Sequence, residues 1–191
     1  MPSWIEFRLG CQGLYRLASL NRGFLSYFDR SSAGAVRSFG LALPLLLLFL
    51  WLVWLNAEQP LPDVGLYLTA KAVGYVYSWI LFPFVILAAA QLLHRNQEAA
   101  GCITVYNWTN VLWYFLQLPV SLMAALAIAP DMTKMLHLGL FVASLVIEGF
   151  LFIATLRVVL WQAAALVAID LVLSQAVIWP VSEWLGGAAP G

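Results

Sequence analysis

The sequence predicts an all-α polytopic membrane protein, a bundle of five transmembrane helices with a possible interfacial amphipathic helix before the first of them. Of its 191 residues, 63% are hydrophobic and only 9% are charged, and the mean hydropathy is +0.90. A soluble domain carries about a quarter charged residues. Five stretches reach the roughly 20 apolar residues that a helix needs to cross a bilayer. These observations argue against a soluble enzyme and against a disordered chain.

Residues 1–35 are predicted to form a cytoplasmic segment rather than a signal peptide, because no uninterrupted apolar stretch precedes the first span. Within this segment, CQGLYRLASLNRGFLSYFDRS places several apolar side chains near one helical face. They are Leu14, Leu17, Ala18, Leu25 and Phe28. This pattern favours a helix lying on an anionic leaflet, and the alternative is an irregular tail that leads into the membrane.

The transmembrane domain is predicted to cover residues 36–184, followed by a short tail over 185–191. The five spans are expected at about 36–55, 66–90, 103–128, 136–157 and 163–184. The segments NAEQPLPD and APDMTK separate spans and contain Pro and Asp, which end helices. The stretch 136–184 is almost continuously apolar, but as one helix it would measure roughly 73 Å at 1.5 Å per residue. We therefore expect it to turn at residues 157–162.

The positive charges predict the orientation of the bundle. With the N-terminus in the cytoplasm, the cytoplasmic side receives seven arginines and the other side only two lysines, which is the distribution typical of membrane proteins. The arginines are Arg8, Arg16, Arg22, Arg30, Arg37, Arg95 and Arg157, and the lysines are Lys71 and Lys134. Five spans then place the C-terminus outside. Cys11 and Cys102 fall on the cytoplasmic side and are expected to be free thiols.

Polar side chains recur at helical spacing within the predicted spans. On the third span they are Asn107, Asn110, Tyr114, Gln117 and Ser121, and on the fourth His137, Ser144, Glu148 and Thr155. The second span carries Lys71, Tyr75 and Ser78, and the fifth carries Asp170 and Ser174. Such stripes find no partners in lipid, so we expect them to face one another or a wet cavity.

Two interpretations of these stripes remain open. In the first, they line a polar path along which Glu148 and Asp170 bind a cation or relay protons. In the second, they are interhelical hydrogen bonds that hold the bundle together, and the two carboxyl groups stay protonated or pair with Lys71 or Arg157.

No motif for catalysis is found. The sequence contains no H-E-x-x-H zinc helix, no G-x-S-x-G elbow and no phosphate-binding loop. The two histidines, His94 and His137, fall on opposite sides of the membrane in the predicted topology, so they are not expected to share a metal or a haem. We therefore expect no catalytic residue, no metal and no other cofactor. The balance of nine basic and nine acidic residues gives no net basic field for nucleic acid.

The segment FDRSSAGAVRSF runs directly into a Pro-containing first helix, LALPLLLLF, and four more spans with short loops follow. Over about residues 24–184 this order resembles the Yip-type family of five-span membrane proteins. The resemblance implies an integral membrane protein that organises partners or membranes, without catalytic residues to carry over. The preference for Arg over Lys and the frequent Ala, Leu and Trp suit a GC-rich bacterium, and the chain is expected in its cytoplasmic (inner) membrane.

The leading functional hypothesis is thus a non-enzymatic scaffold, assembly or accessory subunit in the cytoplasmic membrane. Its expected partners are membrane lipids and another membrane protein or a second copy of the chain. The alternative hypothesis is a small transporter or an ion- or proton-conducting protein that uses Glu148, Asp170 and the polar stripe on the third span.

Overall fold

The computed structural model describes residues 2–57 and 63–186, with side chains described as far as Gln175. Most of the predicted tail, residues 187–191, lies outside the described residues. Seven α-helices and no strand are found in the described part. The helices are α1 (Trp4–Ala18), α2 (Ser32–Ser38), α3 (Ala42–Leu55), α4 (Val64–Leu92), α5 (Asn96–Ala125), α6 (Pro130–Leu156) and α7 (Leu160–Gly186). Short 3-10 helices follow α1 at Arg22–Tyr27 and α2 at Phe39–Leu41.

Three helical stretches of the described chain are long and apolar enough to cross a membrane. They are Ser32–Leu55, which joins α2 to α3, and the helices Val64–Leu92 and Pro130–Leu156. Leu160–Gln175, the part of α7 whose side chains are described, is also apolar. The all-α prediction and the presence of helices suited to a membrane are therefore confirmed, while the count of five spans stays a prediction.

The helix ends follow from local sequence signals. Asp63 precedes α4, and its carboxylate accepts a hydrogen bond from the Leu66 amide at 2.9 Å, which satisfies one of the unpaired amides of the first turn. Pro130 occupies the first turn of α6, where its missing amide costs nothing. The chain turns between α6 and α7 at residues 157–159, with Arg157 in the left-handed conformation at φ 54°. The turn expected at residues 157–162 is thus present.

The N-terminal segment differs from the prediction in the extent of its helix and in what covers its apolar face. It forms α1, capped at Ser3 by reciprocal hydrogen bonds with Glu6, and then a 3-10 helix instead of one long helix. The side chains of Leu14, Leu17 and Phe28, expected on the lipid, are at most 7% exposed. They face the bundle because Gly10 and Gly13 let α1 approach the rings of Trp108 and Phe28 closely.

Helix α5 is the centre of the bundle. It packs against α3, α4 and α6, and α7 packs against α4 and α6. The N-terminal segment closes one end of this arrangement through contacts of α1 and α2 with α5. The core contains large side chains that are almost fully buried, including Phe24, Phe82, Ile86, Leu151 and Phe152.

Candidate functional site

Two carboxyl groups meet in the interior of the bundle, one from α6 and one from α7. The side chains of Glu148 and Asp170 lie within hydrogen-bonding reach of each other, and we call them the carboxyl pair. The Tyr106 hydroxyl, on α5, donates to Asp170 Oδ1 at 3.0 Å. The Oε1 atom of Glu148 is buried, and no donor among the described residues reaches it. A proton held by the pair, or a bound cationic group, would satisfy this oxygen.

The lysine and the arginine considered as partners of the carboxyl pair lie elsewhere. Lys71 Nζ lies over the ring of Tyr67, 5.5 Å from its centroid, and Arg157 is exposed at the end of α6. The ion pairs of the described residues join Arg37 to Glu6 and Asp29, and Lys134 to Asp131. The structure therefore does not support the hypothesis that a basic residue neutralises the pair.

A cavity of about 170 Å³ lies between α4, α5 and α7 beside the carboxyl pair. We call it the inner cavity. Asp170 and Ser174 both line it, as their shared helical face predicts. Its wall combines polar and aromatic side chains: Ser78, Trp79, Leu81, Phe82, Tyr106, Asn110, Tyr114, Asp170, Leu173 and Ser174.

A wider space of about 560 Å³ lies between α3, α5 and the start of α6. We call it the distal groove, because it is at the end of the bundle away from the N-terminal segment. Four residues of the stripe predicted on the third span line it, namely Asn110, Tyr114, Gln117 and Ser121, together with His137 and Asn56. Asn110 and Tyr114 also line the inner cavity. The two spaces therefore adjoin at these two side chains, and polar groups line both.

Other members of the predicted stripes hold helices together. Asn107 is fully buried and donates to Ser38 Oγ at 2.9 Å, so it lies against α2 and lines neither space. Tyr75 donates to the Ala42 carbonyl at 2.7 Å and joins α4 to α3. The Ser144 hydroxyl bonds within its own helix, to the Phe141 carbonyl.

Tyr106 is the site residue that the sequence analysis did not identify. It lies four residues before Asn110, so it continues the stripe Asn110, Tyr114, Gln117 and Ser121 by one helical turn. The prediction had Asn107 in this place, because it lies three residues before Asn110. Cys102 lies one further turn along α5 and is fully buried, next to Thr155 of α6.

Among the residues whose side chains are described, no three His, Cys, Asp or Glu side chains are grouped as a metal site would require. His94 follows the end of α4 and His137 lies near the start of α6, so the length of α5 separates them.

No family model, no curated protein and no solved structure matches the chain. The similarity to the Yip-type family accordingly stays a prediction.

Proposed function

We propose that the chain is a small transporter, or a proton- or cation-conducting protein, whose five helices cross a bacterial cytoplasmic membrane. In this proposal the stretch Ser32–Leu55, which ends with α3, and the helices α4 to α7 are the spans, the N-terminus is inside and the C-terminus is outside. The carboxyl pair is the internal binding site, and the distal groove connects it to the outer side.

The positions of α5 and α7 support five spans. Helix α5 has neighbours on several sides, namely α3, α4 and α6, and α7 lies along α4 and α6. A helix surrounded by membrane helices can carry polar side chains at membrane depth, because the bundle and not the lipid is their environment. Helix α5 is not among the stretches found apolar enough to cross a membrane, which is consistent with this central position.

The observation that carries the proposal is that two adjoining spaces with polar side chains in their walls lie along α5. Asn110 and Tyr114 belong to both spaces, and the inner cavity ends at Asp170 beside Glu148. Charged residues at membrane depth are costly and commonly mark ion or proton pathways. Interhelical hydrogen bonds alone do not require two adjoining cavities, nor a cavity that reaches a pair of carboxyl groups.

The chemistry of the pair suits a proton or a small cation. Two adjacent carboxyl groups resist simultaneous ionisation, so they hold a shared proton or share a cation that neutralises both. Tyr106 fixes Asp170 through its hydroxyl. Release of the proton or cation toward Cys102 and Thr155 would require the bundle to open on the N-terminal side, where Cys102 is fully buried.

Flux measurements on the purified chain in liposomes test the proposal. Glu148→Gln and Asp170→Asn keep the shape of each side chain and remove its charge. We expect either variant to lower proton or monovalent cation flux to the level of empty liposomes while the protein keeps its thermal stability. Ser144→Ala is the matched control, because the Ser144 hydroxyl bonds within its own helix. Unchanged flux in both carboxyl variants would refute the proposal.

A non-enzymatic scaffold or accessory subunit is the second candidate. It is favoured by the hydrogen bonds of Asn107 to Ser38 and of Tyr75 to Ala42, in which polar residues of the spans join helices. Native mass spectrometry of the chain extracted gently from its own membrane tests this candidate. A stoichiometric larger partner would support an accessory subunit, and a lone monomer or homodimer would count against it.

A further inference from the structure

Helix α1 presents two different faces. The inner face, formed by Gly10, Gly13, Leu14 and Leu17, is buried against the bundle. The opposite face carries large side chains that contact little of the described chain: Trp4 is 78% exposed, Ile5 71% and Tyr15 76%. We call the latter the outer face of α1. Single exposed apolar residues are ordinary, but three large ones on one amphipathic helix form a surface.

Basic side chains accompany these apolar ones. Arg8 and Arg16 follow Trp4 at helical intervals of four residues and therefore lie on the same outer face. The Arg8 side chain is exposed there, and the exposed Arg16 lies at the edge of this face, with its guanidinium 5.1 Å from the centroid of the Tyr27 ring. The same end of the bundle exposes Arg22, Arg30, Arg95 and Arg157. Of the acidic residues at this end, Glu6 and Asp29 are both bound to Arg37. Among the described residues Glu98 is the remaining carboxylate there, so this end of the bundle is strongly positive.

The position of α1 along the bundle fits the membrane surface. The ring of Phe7 lies 5.9 Å from the ring of Trp108, which is twelve residues into α5, or about 18 Å along its axis. Helix α1 therefore lies beside the basic end of the bundle and not beyond it. The predicted span of α5 begins at residue 103, so Trp108 lies about 8 Å inside it, which is within the depth of about 5–10 Å to which an interfacial helix buries its apolar face.

We propose that the outer face of α1 docks on the anionic headgroups of the leaflet at the N-terminal end of the bundle. Trp and Tyr favour the headgroup region, an apolar stripe of this kind enters the acyl boundary, and arginine attracts anionic lipid. Charge complementarity and aromatic content together select an anionic lipid surface. This proposal rests on the membrane location of the chain and is independent of what the carboxyl pair binds.

The chain carries its own labelling site for a test. Cys11 is exposed on α1, whereas Cys102 is fully buried. An environment-sensitive maleimide dye should therefore label Cys11 selectively, and Cys11→Ser should abolish labelling of the folded protein. The full chain is placed in nanodiscs of phosphatidylcholine alone or mixed with phosphatidylglycerol, each doped with a headgroup spin-labelled lipid that quenches the dye.

We expect stronger quenching and a blue-shifted emission in the discs that contain phosphatidylglycerol. Arg8→Glu together with Arg16→Glu should reduce the quenching to the level seen in phosphatidylcholine. Trp4→Ala together with Tyr15→Ala should weaken it in both lipids. Lys134→Glu is the matched charge control at the opposite end of the bundle, and it should leave the signal unchanged. Retained thermal stability of each variant separates loss of docking from loss of the fold.

Three outcomes would overturn the proposal. Equal quenching in the two lipids would exclude recognition of anionic headgroups. A dye that stays in water in every disc would exclude docking on lipid. A dye that is in water in discs but shielded in native membranes would assign the outer face to a protein partner instead. None of these outcomes depends on ion flux, so the proposal and the transport function fail separately.

Discussion

Gly34 lies in the first turn of α2, and because it has no side chain this turn packs closely on Asp29 in the preceding segment. A Cβ at this position would overlap the backbone carbonyl oxygen of Asp29 and come within 2.7 Å of its carboxyl carbon. Because backbone atoms cannot move aside as a flexible side chain does, we expect Gly34→Ala to lower the free energy of unfolding by about 1–3 kcal/mol. Thermal unfolding in detergent measures this loss.

Gly139→Ala is the control for that substitution. Nothing lies within 4 Å of a Cβ at Gly139, and alanine is favoured over glycine in a helix by about 0.5–1 kcal/mol. The control should therefore be neutral or stabilising. If Gly34→Ala were equally harmless, the close packing of α2 on Asp29 would be wrong.

The individual site residues show where sequence reasoning succeeds and where it stops. The spacing of Asn110, Tyr114, Gln117 and Ser121 places them on one face, and the distal groove is lined by all four. The same spacing does not distinguish Asn107 from Tyr106 as the next member, because both fall near that face. The neighbouring helix determines which of the two faces the cavities. The Asn107 amide donates a hydrogen bond to Ser38 of α2, and Ser38 lies beside Asn107 only in the folded bundle.

At the scale of elements, Arg37 lies on α2 and links this helix to α1 and to the chain just before α2. It donates to Glu6 at 2.7 Å and also binds Asp29. The Ser3 amide and the Arg37 guanidinium lower the pKa of Glu6. The Ser31 amide and hydroxyl, with Arg37, lower the pKa of Asp29. Carboxylates with lowered pKa values stabilise the folded state above their unfolded pKa values of about 4, and this contribution is lost as the pH falls through the folded values.

We therefore expect α1 to loosen as the pH falls below about 4. Hydrogen exchange of the α1 amides, corrected for the intrinsic effect of pH, should rise there earlier than exchange in α5. Glu6→Gln together with Asp29→Asn should flatten this dependence, whereas Asp131→Asn, at the other end of the bundle, should leave it in place. An identical pH profile in the double variant would show that Arg37 does not anchor α1.

The elements themselves were predicted unequally well. Long apolar stretches and their Pro- and Asp-containing boundaries predicted a helix near each expected span, including the turn after Arg157. The face of α1 that packs inward could not be predicted, because an apolar face fits lipid and a protein core equally well. This face packs on the core because Gly10 lies directly against the ring of Trp108. The two residues are far apart in the sequence, so local spacing does not predict this contact.

At the scale of the whole molecule, the bundle is organised around its least apolar long helix. Hydropathy averages over all faces of a helix, so α5 is not among the stretches found apolar enough to cross a membrane. Yet α5 contacts α3, α4 and α6, and its polar stripe faces the two cavities instead of lipid. A central helix that turns its polar face to the interior of the bundle is the arrangement expected if that face has a solute or a proton to carry.

Whether α5 crosses the membrane decides both the five-span topology and the polar path. Gln97 is exposed in the first turn of α5, and Met132 is exposed in the first turn of α6, just after α5 ends. The two residues therefore mark opposite ends of α5, which is about 45 Å long at 1.5 Å per residue. In a Cys11→Ser background, we expect an impermeant maleimide to label Met132→Cys in intact cells and Gln97→Cys only after permeabilisation. Labelling of both from one side would show that α5 does not cross, and the reverse pattern would keep α5 as a span but invert the orientation. A reporter fused after residue 191 extends the test to α7, and the five-span proposal expects it outside the cytoplasm. If the reporter were cytoplasmic while Met132→Cys was labelled from outside, the chain would have four spans.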